Sequence, residues 1–183
     1  MSILKVARMG HPVLRAKART VDKNELKHAN LQQFIDSLID TMFEYSGVGL
    51  AAPQVHESLR IFVAMLDADG RGEGDAVTFV NPEIMVVGEE TVEGWEGCLS
   101  IPEIRGRVPR AQHIKVSALD RNGKRFEHEL KDFPARVVQH ETDHLDGVLF
   151  LDRMRSFETL TYLEEYSRYH TKHADDDEDE ADE

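Results

Sequence analysis

Residues 140–144 read His140-Glu141-Thr142-Asp143-His144, and this stretch restricts the fold more than any other. Two histidines four positions apart share a face when the backbone is helical, where residues i and i+4 stand one above the other. The flanks agree with a helix. Asp132 is placed to cap it, Pro134 fits its first turn and Gly147 can end it. On such a helix both imidazoles reach a single metal ion. Glu141 then projects beside them, where it can take a proton from a water that the ion acidifies. The pattern points to a metal-dependent hydrolase. A five-residue match with three fixed positions also arises by chance, so a third ligand has to decide.

Downstream candidates are incomplete. A Gly and a third His, three and six residues after the second His, would complete one metalloprotease pattern. Gly147 fits, but Phe150 stands where the His is needed. Another pattern takes a Glu about one helix further on. Glu164 lies near that distance, yet Arg168 occupies the place of the acidic residue expected one turn later.

Upstream, Cys98 is the only cysteine among 183 residues, within Gly94-Trp95-Glu96-Gly97-Cys98-Leu99-Ser100-Ile101-Pro102. A lone cysteine is ordinarily a small buried apolar residue. A thiolate, however, is a strong ligand for zinc or ferrous iron. With the two histidines Cys98 completes a Cys-His-His set that leaves a fourth position open, the catalytic rather than the closed structural arrangement.

A third segment, Gly47-Val48-Gly49-Leu50-Ala51-Ala52-Pro53-Gln54, packs small residues into an extended run. Gly and Pro also punctuate ordinary tight loops. Read functionally, the glycines expose backbone groups that can pair with an extended peptide. The Gln54 amide can donate to a developing oxyanion.

These three segments together resemble peptide deformylase. Its motifs are Gly-x-Gly-x-Ala-Ala-x-Gln, Glu-Gly-Cys-Leu-Ser and Gln-His-Glu-x-Asp-His. They stand here in family order as Gly47 to Gln54, Glu96 to Ser100 and Gln139 to His144. The resemblance runs from Ile3 to about Phe157 and includes the opening Met9-Gly10-His11-Pro12-Val13-Leu14-Arg15. It implies removal of the N-formyl group from the N-terminal methionine of new polypeptides, with release of formate. It implies Cys98, His140 and His144 as metal ligands and Glu141 as general base and acid. The Leu99 N–H and the Gln54 side chain would hold the formyl oxygen. Gly49 would hydrogen-bond the substrate backbone, with Val48 and Gly97 also on the substrate site and Arg105 near the pocket for the methionine side chain. The ligand set accepts Fe²⁺, Zn²⁺, Ni²⁺ or Co²⁺, and the resemblance favours Fe²⁺ in the cell. Expected partners are N-formylmethionyl nascent peptides and the ribosome near its exit tunnel, without DNA or membrane.

Composition matters mainly at the C-terminus. Net charge is −13, and eight acids between Asp175 and Glu183 supply much of it. Such a run repels itself and has nothing to bury. The expectation is therefore a catalytic domain over 1–173 and a mobile acidic tail over 174–183. Arg105, Arg107 and Arg110 form the most basic local segment, which reads as a solvated loop. The remaining histidines, His170 and His173 among them, are assigned no metal. There is no run of 18 apolar residues and no apolar leader after Met1, and a single cysteine suits a reducing cytoplasm.

Leu31, Phe34, Leu38, Met42 and Tyr45 recur every three or four residues, predicting a helix from about Asn30 to Tyr45 with this face in the core. Strands are expected at Arg60–Leu66, Val77–Val87, His113–Leu119 and Arg125–Leu130. The last two flank an Asn122-Gly123 hairpin turn. The expected class is α+β: antiparallel sheets packed around a central metal-binding helix, with an N-terminal and a C-terminal helix.

Overall fold

In the computed structural model, residues 2–66 and 76–171 are described; the acidic run lies outside them. The N-terminal helix, α1, spans Ala29–Glu44. Strands follow as β1 (Gly49–Ala51), β2 (Ile61–Ala64), β3 (Val77–Val86), β4 (Thr91–Cys98), β5 (Ile101–Ala111), β6 (His113–Leu119) and β7 (Arg125–Lys131). Then come α2 (Asp132–Leu145), α3 (Phe150–Arg153), a short β8 (Thr161–Tyr162) and α4 (Leu163–Tyr169). Mixed helix and antiparallel sheet is therefore the class, as expected.

The strands form two sheets, ordered β1-β2-β3-β6-β7 and β4-β5-β8. Every pairing within them is antiparallel. Strand β2 shows why helices cover both faces of the larger sheet. All four of its residues are buried, although successive side chains point to opposite faces. Phe62 and Ala64 enter a core shared with Ala135, Val138 and Leu145 of α2. Ile61 and Val63 enter another, shared with Ile35, Leu38 and Met42 of α1. Burying a side chain the size of Phe62 contributes about 1.5–3 kcal/mol.

Helix α1 is close to its expected span, but Tyr45 is 46% exposed rather than in the core. The helix ends one residue earlier and the chain reverses at Ser46, whose φ is 53°. Asp132 does not cap α2 either. It has a φ of 54°, and its carboxylate accepts a hydrogen bond from Gln112 Nε2 at 2.9 Å. Gly147 does end that helix, with a φ of 74°. A Cβ there would lie 2.6 Å from the Arg15 carbonyl oxygen, so no other residue fits without displacement.

The larger correction concerns residues 91–111, which form the hairpin β4–β5. It pairs from Thr91↔Ala111 to Gly97↔Arg105, shifts register at Gly97/Cys98 and closes at Cys98↔Ile101. Arg105, Arg107 and Arg110 thus lie on a strand rather than a loop, and Arg110 is only 6% exposed. Two backbone bonds tie the N-terminal segment to both neighbours: Ala7 N–H donates to the Gln54 carbonyl, after β1, at 2.7 Å, and Met9 N–H to the Ser100 carbonyl, at the hairpin tip, at 2.8 Å.

Candidate metal centre

Helix α2 puts His140 and His144 one turn apart on a buried face, their rings 4.9 Å apart between centroids and 80° between planes. Cys98 ends β4 and reaches them from the other sheet. The distance from Cys98 Sγ to His144 Nε2 is 3.3 Å, and the two Nε2 atoms are 3.2 Å apart. All three donor atoms lie within 4.8 Å of one another. Metal–nitrogen bonds near ~2.05 Å and a metal–sulfur bond near ~2.3 Å at tetrahedral angles separate ligand atoms by roughly 3.3–3.6 Å. The trio therefore fits one ion, and it is the only such group among the described residues.

Charges around the trio are arranged for it. His140 Nδ1 faces Glu96 Oε2 at 2.9 Å, which leaves Nε2 as the free lone pair. Glu96 is held twice more, by Arg110 in a bidentate pair at 2.9 and 3.0 Å and by Arg136 Nη1 at 2.8 Å. Arg110 also donates to Asp143 Oδ2 at 2.5 Å, and Arg153 donates to Asp143 Oδ1 at 2.7 Å. Burial would raise the Glu96 pKa, but its bonds to His140 and Arg110 hold it well below the usual carboxylate range. Burial would likewise raise the Cys98 pKa, but the adjacent His144 and His140 hold it well below the usual thiol value. The site thus favours a thiolate, the form that binds metal.

Glu141 differs from Glu96 in having no ion-pair partner for its carboxylate among the described residues. Burial pushes its pKa up to about 7, partly opposed by His140 and His144. Its Oε2 is buried with no hydrogen-bond partner, as is His144 Nδ1. A carboxylate near neutrality can both take and return a proton.

Gln54, only 1% exposed, is fixed by Ala51 N–H, which donates to its Oε1 at 2.8 Å. That turns Nε2 toward Cys98 Sγ at 3.4 Å and Ser100 Oγ at 3.3 Å. Val48, Gly49, Gln54, Gly97, Cys98, Leu99, Arg105, His140 and Glu141 all line one cleft of about 660 Å³. His144 lies beneath it, 1% exposed. At two glycines of the wall a side chain would displace a neighbour. A Cβ on Gly49 would lie 2.5 Å from Glu141 Oε1, and one on Gly97 would lie 2.5 Å from Arg105 Nη1.

The downstream ligand candidates fall away. Glu164 accepts a hydrogen bond from Arg168 at 2.9 Å on the exposed face of α4, and Phe150 is a core residue stacked on His140. Sequence reading left Glu96, Arg110, Arg136 and Asp143 without roles. Glu96 and Asp143 were nevertheless within reach, because both sit at fixed positions of the two metal motifs.

Comparison with known proteins follows the same lines. The family described as polypeptide deformylase matches residues 3–159. "Peptide deformylase 2" of Nostoc sp. is 45% identical over 93% of this chain and 96% of its own. The Thermotoga maritima peptide deformylase crystal structure superposes with a TM-score of 0.77 at 43% identity, over 85% of this chain and all of that one. A class I type b peptide deformylase from Acinetobacter baumannii, crystallised with Met-Ala-Ser, superposes with a TM-score of 0.78 at 43% identity, covering 84% and 99%.

Proposed function

The chain belongs to the polypeptide deformylase family, and from that premise we propose how its residues divide the work of removing N-formyl groups from nascent polypeptides. Cys98, His140 and His144 hold one divalent ion, which makes α2 the metal-binding helix around which the two sheets are arranged. When bound, the ion acts as a Lewis acid that lowers the pKa of water and polarises the formyl carbonyl.

The chain's own side chains do the rest. Glu141 takes a proton from the attacking water and holds it on its carboxylate. The water oxygen bonds to the formyl carbon. Negative charge gathering on the formyl oxygen is met by Gln54 Nε2 and the Leu99 N–H. Glu141 then gives its proton to the leaving nitrogen as the C–N bond breaks, leaving formate and a free amine. Gly49, Val48 and Gly97 align the peptide backbone, and Arg105 borders the methionine side chain. The bound Met-Ala-Ser of the Acinetobacter relative supports a cleft that accepts a deformylated N-terminus. Glu96 keeps His140 oriented through Nδ1.

One observation carries this reading: a buried, unpartnered Glu141 oxygen beside a convergent Cys-His-His set. Formate release from a formyl-Met peptide tests it, with metal content and melting temperature measured on the same preparation. Glu141→Gln should keep its metal and lose on the order of 10⁴-fold in turnover, since one residue serves as base and acid. Near-normal turnover with metal bound would sink the mechanism.

The further assignments are Fe²⁺ as the cellular ion, a cytoplasmic location, the ribosomal exit region as the place of encounter, and a catalytic unit over 1–173 followed by an acidic tail. Thiolate–imidazole ligation accepts ferrous iron as well as zinc, nickel or cobalt, and the family resemblance is what favours iron. Among the described residues no helix is long and apolar enough to cross a membrane.

A further inference from the structure

The charges on the cleft wall divide into two groups. Glu96 and Arg136 neutralise each other at 2.8 Å, and Glu141 is buried beside the metal ligands. At the open rim stand Lys5, Arg8 and Arg105, with Glu103 as the acid among them. Lys5 and Arg8 are exposed, Arg105 is half-buried, and none of the three has an ion-pair partner among the described residues.

The rim is therefore cationic on a chain whose net charge is −13. Low-dielectric cleft walls focus such a local field and enrich ligands of opposite charge. Lys5 and Arg8 are also fixed at the cleft. The Ala7 and Met9 N–H groups between and beside them are bonded to Gln54 and Ser100, so the segment cannot swing away without breaking two backbone bonds.

We infer that Lys5, Arg8 and Arg105 are specificity-determining residues, which select peptides bearing acidic side chains downstream of the formyl-methionine. The inference rests on the deformylase reading. Each exposed charge pair is worth a factor of about 1.4–5, and the effect on association fades with ionic strength.

The test compares three amidated peptides: formyl-Met-Ala-Ser-Ser, formyl-Met-Ala-Asp-Asp and formyl-Met-Ala-Lys-Lys. Hydrolysis of the Ser peptide establishes deformylation by itself, so its absence would strike the underlying reading. At ~20 mM salt, kcat/KM should favour the Asp peptide over the Lys peptide by roughly 2–25-fold, from two pairs at the factor above. In 0.5 M NaCl the ratio should fall toward one. In the Lys5→Glu, Arg8→Glu double variant the preference should vanish or reverse. Should that variant fail to fold, the salt series on the unmodified protein still decides. Normal hydrolysis of the Ser peptide with an Asp-to-Lys ratio near one at low salt would overturn the inference and leave the deformylase reading intact.

Discussion

Gly49 lacks a side chain at the point where Glu141 needs room. A Cβ there would come within 2.5 Å of Oε1 and 2.8 Å of Cγ. Glu141 is 4% exposed and packed in the cleft, so the clash is relieved only by moving its carboxylate. Displacing a reacting group by about 1 Å costs on the order of 10²-fold in rate. Gly49→Ala is therefore expected to retain the metal and lose about that much turnover. Equal kcat in a metal-loaded Gly49→Ala protein would show that Glu141 has slack the packing does not suggest. Cys98 is a contrasting case, because its proposed part lies in binding the ion rather than in position. Cys98→Ser should lose metal and activity together, as a neutral hydroxyl replaces the thiolate; elemental analysis beside the activity assay reads both.

The hairpin β4–β5 and helix α2 meet through buried charge as well as apolar contact. Arg110 carries two carboxylates, Glu96 and Asp143, in surroundings where all three are nearly inaccessible. Arg110→Leu leaves both acids without that partner. Breaking a buried pair from one side costs about 3–5 kcal/mol, and for a domain of this size that lowers the melting temperature by roughly 6–20 °C. Scanning calorimetry of metal-loaded protein checks it, and a shift below about 2 °C would mean Arg136 and Arg153 take over the load. Sequence reading failed on this hairpin for a reason visible in its residues. Gly94, Gly97, Pro102, Gly106 and Pro109 interrupt any period-two pattern, and three arginines suggest a wet loop. Strand β6 was legible because its apolar residues alternate and its burial follows them, and helix α1 because its apolar residues keep the helical period, with Leu38 and Met42 buried although Tyr45 is not. Strand β7, with no fully buried residue, was legible through the Asn122-Gly123 turn that pairs it with β6. The convergence of the trio was legible in part: the four-residue spacing pairs His140 with His144, and Cys98 was added from its residue type and from the resemblance of its segment. Its supports were not, since an arginine becomes a core residue only when two distant acids fold around it.

Across the whole molecule, the proposed metal site joins parts that otherwise have separate cores. Cys98 comes from the three-stranded sheet, and both histidines come from a helix packed on the five-stranded one. A ligand bound only by the native state adds about 4 kcal/mol when present at a thousand times its Kd. Stripping the ion with a chelator should therefore lower the melting temperature by several degrees. The three hydrophobic clusters remain without it, so far-ultraviolet circular dichroism at 25 °C should barely change. Collapse of that signal on chelation would show that the ion is needed to fold the chain. The chain also has a single thiol, Cys98, and it opens onto the cleft. A reagent that labels free thiols then acts as a census of the catalytic sites. Each molecule with a vacant centre answers once, each loaded molecule stays silent, and no background sulfhydryl blurs the count.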